Sequence, residues 1–173
     1  MTVAMVAIHD GKCILGSDSL VMSSGKSYVQ KITILGDWAI AIAGSLAGWS
    51  WLQYNAEVRD FILSDDCIDG FGINQIGKLW RAENTAGVDC DFIFVRCGKA
   101  WNLQNDGAIE PVTTIDAIGD ATAAGAAFWA LWGFTDLPLE YVVQGALESV
   151  CRVSAYCGGE VVMYDCSDTP RRI

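Results

Sequence analysis

Residues 1–20 read MTVAMVAIHDGKCILGSDSL, and the fold turns on how this stretch is divided. Two apolar runs, 3–9 (VAMVAIH) and 12–18 (KCILGSD), flank Asp10-Gly11. A two-residue Asp-Gly connection takes positive φ at both central positions and marks a tight β-hairpin. The first run is apolar at consecutive positions, so the strand it forms is covered on both faces. Thr2 stands directly before that strand. If Met1 is removed, Thr2 carries a free α-amine beside its own hydroxyl, which puts a nucleophile and a base on one residue.

The same grammar continues outward. After the loop SLVMSSGKS (19–27), residues 28–35 (YVQKITIL), Gly36-Asp37 and 38–44 (WAIAIAG) predict a second hairpin of buried strands. Ser45 is placed to N-cap a helix that the apolar spacing carries to residue 63. A loop rich in Asp and Gly (64–72) then leads to a helix over 73–84 (INQIGKLWRAEN). Strands are predicted at 90–96 (CDFIFVR) and 99–104 (KAWNLQ), around Cys97-Gly98, followed by a connecting stretch ending in TTIDAIGD (113–120). Helices over 121–133 and 138–152, the latter with Pro138 near its first turn, precede a last strand over 158–166 and a polar tail. Helices thus come in pairs between groups of strands, not after every strand as in a doubly wound parallel sheet. The solution is an α+β fold of two stacked sheets with a helical layer outside each, a four-layer αββα sandwich in one domain over 1–173.

Composition narrows the chemistry. Hydrophobic residues make up 52% of the chain and charged ones 18%, which is a globular and not a disordered composition. The net charge is −10 with no Lys/Arg cluster, so nucleic acid is not the expected partner. Seven cysteines, an odd number without a CxxC pair, and no leader-like N-terminus point to a reducing cytoplasmic setting. No apolar run reaches the roughly 18 residues of a membrane span. With His9 as the single histidine, three-histidine metal sites are excluded by count, and its place beside the Asp10-Gly11 turn reads as a solvated turn residue and not a catalytic base; no metal or other cofactor is expected.

The order Thr2, Asp18 in GSDS, Lys31 in VQKITIL, Gly44 in AIAGSLAG, AIGD (117–120) and SAYCGGEVVMY (154–164) resembles the proteasome β-type subunits, and among them bacterial HslV. The likeness runs along nearly the whole chain and is weakest between 64 and 110. It implies the N-terminal nucleophile hydrolase fold, the same αββα sandwich that the order of elements suggests. It also implies roles. Thr2 is the nucleophile, and its amine, with a reference pKa of about 7.7–8.0, is the base. A Lys31 ammonium favours the neutral amine, and Asp18 holds Lys31 charged and in place. The Gly44 N–H stabilises the oxyanion, and Ile42 lines an apolar specificity pocket. Each residue also has a plainer reading: Thr2 as an ordinary strand residue, Asp18–Lys31 as a structural ion pair, Gly44 as a helix-entry glycine.

Three positions depart from the family pattern. Asp120 stands where the family has serine, Ser154 where it has aspartate, and Cys157 where it has serine. Those family side chains surround and orient the terminal amine. Asp120 and Ser154 read as an exchange of hydroxyl for carboxylate between two sites, with Cys157 a weaker hydrogen-bonding stand-in for serine. The alternative is an inactive subunit whose amine environment has drifted.

The resemblance implies homo-oligomeric stacked rings enclosing the sites, unfolded polypeptide as substrate, and an ATP-dependent unfoldase as partner. No GxxxxGK[ST] motif is present, so energy input would come from that partner. The seven tryptophans fit helix-layer packing or ring contacts. Two other readings share the fold: a catalytically inactive ring-forming scaffold, and an N-terminal nucleophile amidase acting on small amides.

Overall fold

Alternation along the strands builds three separate cores. The computed structural model describes residues 2–22, 26–64, 70–120, 125 and 136–173. β1 (Val3–His9) and β2 (Lys12–Ser17) form the expected hairpin, with φ 48° at Asp10 and 77° at Gly11. β3 (Leu20–Met22) and β4 (Lys26–Tyr28) make a small separate hairpin. β5 (Ile32–Leu35), β6 (Trp38–Gly44), β7 (Cys90–Arg96), β8 (Lys99–Leu103) and β9 (Ile109–Val112) pair in sequence order into an antiparallel five-stranded sheet. β10 (Ile115–Gly119), β11 (Val162–Asp165) and β12 (Arg171–Arg172) complete the first sheet, in the order β10-β1-β2-β11-β12.

β6 shows how the layers are set. Ala39, Ala41 and Ala43 face the first sheet and meet Ala4, Val6, Leu15 and Ile118. Trp38, Ile40 and Ile42 face outward, against α1 (Leu46–Tyr54), α2 (Ala56–Leu63) and α3 (Gly70–Glu83), where Leu52, Val58, Ile62, Ile73 and Trp80 are buried. On the far side of the first sheet, Val3, Met5, Ala7 and Ile14 pack on Leu139, Val143, Leu147 and Val150 of α4 (Leu139–Val153). Small side chains therefore fill much of the space between the sheets and large ones anchor the helices, which is the αββα sandwich. Gly16 lets α4 sit directly on β2, since a Cβ there would lie 2.6 Å from Leu147 Cδ1.

The expected strands and helices differ from the observed ones in several places. The loop expected over 19–27 carries β3 and the start of β4, and the helix expected over 73–84 begins at Gly70, inside the expected loop. The helix expected over 45–63 is two helices, because the Asn55 side chain accepts from Val58 N at 3.1 Å and caps a new start. The connecting stretch before residue 120 contains two strands, β9 and β10, the second of which pairs with β1. The run 28–35 is divided, with Tyr28 ending β4 and β5 beginning at Ile32. The last strand starts at Val162 and not 158, and the tail adds β12. The helix expected over 121–133 lies outside the described residues, apart from Gly125.

Leu147 is fully buried where α4 meets β2. Leu147→Ala is expected to cost about 2–5 kcal/mol in urea unfolding. A loss below about 1 kcal/mol would show that α4 does not seat on the first sheet as described.

Candidate active site

The two sheets meet at an end where a buried carboxylate joins four segments. Asp18, directly after β2, is fully buried. Its Oδ1 accepts from the Val3 amide at 3.0 Å and from Lys31 Nζ at 2.7 Å. Its Oδ2 accepts from the amides of Leu20 at 3.3 Å and Gly158 at 3.0 Å. Four donors meet the acceptor capacity of a carboxylate, which is how the charge is accommodated inside the protein. Asp18 N in turn donates to Val3 O at 3.1 Å, so residues 2–3 are held from both directions.

Lys31 lies just before β5 and is 5% exposed. Burial pushes its ammonium below the ordinary lysine range, opposed by its hydrogen bond and ion pair with Asp18. Thr2 is 6% exposed, and its carbonyl accepts from Asp120 N at 2.8 Å, continuing the β1–β10 ladder past Val3–Gly119. Gly119, at φ 82°, is required here: a Cβ would stand 1.9 Å from Thr2 O and 3.0 Å from Ala43 Cβ. Gly119 thus lies between Thr2 and Ala43, near the end of β6. Gly44, at φ 108°, follows Ala43, and a Cβ on it would lie 2.4 Å from Asp89 O.

The three departing positions meet at the same place. Ser154 caps α4, its amide donating to Val150 O at 2.8 Å. The Ser154 hydroxyl donates to Asp120 Oδ2 and accepts from Tyr156 N at 3.1 Å. Cys157 is buried one residue before the Gly158 amide that holds Asp18. Burial pushes its thiol up, with the Ser154 hydroxyl acting against the shift. Burial likewise pushes Cys151, in the last turn of α4, up to about 11. Neither cysteine is therefore a ready thiolate.

Thr2, Asp18, Lys31, Gly44, Asp120, Ser154 and Cys157 are thus gathered at one end of the sandwich. Ile42 is the exception: its side chain lies in the core between the second sheet and the helices. Residue-by-residue reading missed Gly119 and the amides of Leu20 and Gly158. A glycine ending a strand immediately before Asp120 was the available sign for the first. Backbone donors leave none. Among the described residues, no group of three or more His, Cys, Asp or Glu is arranged to hold a metal, and no helix is long and apolar enough to cross a membrane.

No protein-family model matches the chain, and no curated protein matches it in sequence. Solved structures do. The Gly-1 mutant of Anbu from Hyphomicrobium sp. strain MC1 aligns with a TM-score of 0.81 at 14% identity, over 100% of this chain and 87% of that one. HslV from Trypanosoma brucei aligns with a TM-score of 0.79 at 18% identity, over 93% and 97%. BPH from Thiobacillus denitrificans, in complex with epoxomicin, aligns with a TM-score of 0.73 at 17% identity, over 94% and 97%. The αββα fold is thus shared with Anbu, HslV and BPH.

Lys31→Met leaves Asp18 buried without its counter-charge and is expected to cost about 3–5 kcal/mol of stability. Adding Asp18→Asn removes the orphaned charge, so the double variant should lose less than the sum of the single losses in denaturant titration. Additive losses would mean that the two side chains are not coupled.

Proposed function

We propose that the chain is a threonine peptidase subunit whose nucleophile is Thr2 after removal of Met1. The observation that carries this reading is the Asp18 carboxylate, which binds the amide following Thr2 and the Lys31 ammonium through one oxygen. It fixes the first strand residue and a buried cation relative to each other. That is the requirement for a nucleophile and base carried by a chain terminus.

In this reading the Thr2 hydroxyl attacks a peptide carbonyl while the α-amine takes its proton. The Lys31 ammonium favours the neutral amine and, with the Gly44 N–H, stabilises the oxyanion. The protonated amine then passes its proton to the leaving amine, giving an ester between Thr2 and the acyl part of the substrate. Water, deprotonated by the same amine, releases the acid and restores the hydroxyl.

The fold likeness to HslV and Anbu supports assembly into homo-oligomeric stacked rings that take unfolded polypeptide. An ATP-dependent unfoldase is the partner such an assembly calls for, and the cytoplasm the compartment. The altered trio Asp120, Ser154 and Cys157 favours a second reading, a ring-forming scaffold without catalysis.

The test is hydrolysis of a denatured polypeptide and of short fluorogenic peptides by protein whose intact mass shows loss of Met1. Thr2→Ala should abolish cleavage, and Thr2→Ser should retain part of it. A processed chain that cleaves neither substrate would favour the scaffold. Hydrolysis of small amides alone would assign the fold to an amidase.

A further inference from the structure

We infer that Cys13 and Cys166 form a redox-sensitive pair, a dithiol that closes to a cross-strand disulfide and latches β2 to the C-terminal segment. The pairing of β11 with β2 ends with Asp165 opposite Ile14. One step further, the same register sets Cys166 opposite Cys13, and the Cys166 amide donates to the Cys13 carbonyl at 2.7 Å. Residues opposite each other in an antiparallel pair present their side chains on the same face. Both cysteines belong to the core between the two sheets, and both are fully buried. Hydrogen-bonded neighbours of this kind have Cα atoms about 5.5 Å apart, inside the span of roughly 4.4–6.8 Å that a disulfide bridges. The pair is also not clamped at the full ladder spacing. Cys13 N donates to Ser167 Oγ at 3.0 Å and not to Cys166, while Cys166 O accepts from Gly98 N at 2.8 Å. One backbone bond therefore joins the two residues where a closed hydrogen-bonded pair has two.

Among the described cysteines, only these two stand opposite each other on paired strands. Cys97 is exposed in the turn between β7 and β8, Cys90 lies under the helices of the second sheet, and Cys151 and Cys157 pack at the end of α4. Burial pushes the Cys13 thiol up to about 12, with the Asp165 carboxylate adding to the shift. Cys166 is pushed up for the same reason, with Cys13 and Asp165 adding to it. The pair therefore rests as two thiols and calls for an oxidant small enough to enter a packed core. Hydrogen peroxide is of that class. One sulfur attacks peroxide, giving a sulfenic acid and one water once the thiol proton is returned. The second sulfur then displaces water from the sulfenic sulfur, so two thiols and one peroxide yield one disulfide and two waters. Cys166 leads toward β12, a two-residue exposed strand at the edge of the first sheet, where opening of the structure starts. The bond encloses nearly the whole chain in one loop, which places a large constraint on the unfolded state. It also fixes the β2–β11 ladder at the end away from Ser17 and Val162, the pair that adjoins Asp18.

The experiment exposes the purified full chain to hydrogen peroxide, blocks the remaining thiols in denaturant and maps the unreduced digest by mass spectrometry. The expected result is a peptide that joins Cys13 to Cys166 and an intact mass lower by two hydrogens. The thermal midpoint should rise by about 5–10 °C over the reduced protein, and dithiothreitol should reverse all three changes. Cys13→Ala and Cys166→Ala should each show neither the link nor the rise. Mapping is done on the parent chain, so the test remains decisive if a variant fails to fold. Recovery of Cys13 and Cys166 as blocked thiols or as sulfinic acids, while Cys97 or Cys151 is oxidised, would overturn the inference. So would a link between other cysteines, or a mapped Cys13–Cys166 bond that leaves the midpoint where it was. Neither result bears on Thr2, so the latch and the peptidase reading stand or fall separately.

Discussion

The fully buried carboxylate of Asp18 is the constraint on which the arrangement depends. Its four hydrogen bonds come from the start of β1, the chain after β2, the residue before β5 and the loop after α4. No other described side chain ties so many distant segments together. Removing a carboxylate from water is costly, and the cost is offset only when every acceptor site is filled at good geometry. The closure of this network and the placement of Thr2 are therefore one event. Beside the network, Gly119 supplies the close backbone approach to the Thr2 carbonyl, and the Gly158 amide donates to Asp18 Oδ2.

Around that point the architecture follows from residue size. Alanines on the inner face of β6 leave room for the first sheet, and large residues on its outer face hold three helices. β1 likewise divides its side chains between the inter-sheet core and the core under α4. A strand buried on both faces cannot slip by one residue without exchanging large and small side chains between two filled cores. Register and layer spacing are thereby set together, and Thr2 is delivered to a defined position at the strand end.

Much of this was legible in the sequence, because turn chemistry and apolar runs are local. Asp10-Gly11 and Cys97-Gly98 both adopt positive φ at each residue and close their hairpins as expected. β9 and β10 escaped notice for a physical reason. β9 carries Glu110 and Pro111 exposed at a sheet edge, and β10 is half-buried over Ile115–Ala117, so neither shows a clear apolar pattern. The break at Asn55 was hidden because apolar residues keep helical spacing across it, and only the cap bond reveals it. At the site, the side chains of Asp18 and Lys31 could be picked out by resemblance and proved to be hydrogen-bonded. The meeting of Asp120 with Ser154 was suggested by their complementary departures and is an observed hydrogen bond. Backbone donors, which supply three of the four hydrogen bonds at Asp18, have no signature in side-chain identity.

The fold is shared with proteins at 14–18% identity, so the proposed activity has to be tested on this chain's own residue 2. The most direct measurement is intact and fragment mass after exposure of the purified protein to a peptide epoxyketone. A chain that has lost Met1 and carries one adduct, mapped to Thr2 and absent in Thr2→Ala, is the predicted result. A fully processed chain that remains unmodified, or an adduct mapped to Cys157 or any other residue, would contradict the assignment of Thr2 as nucleophile.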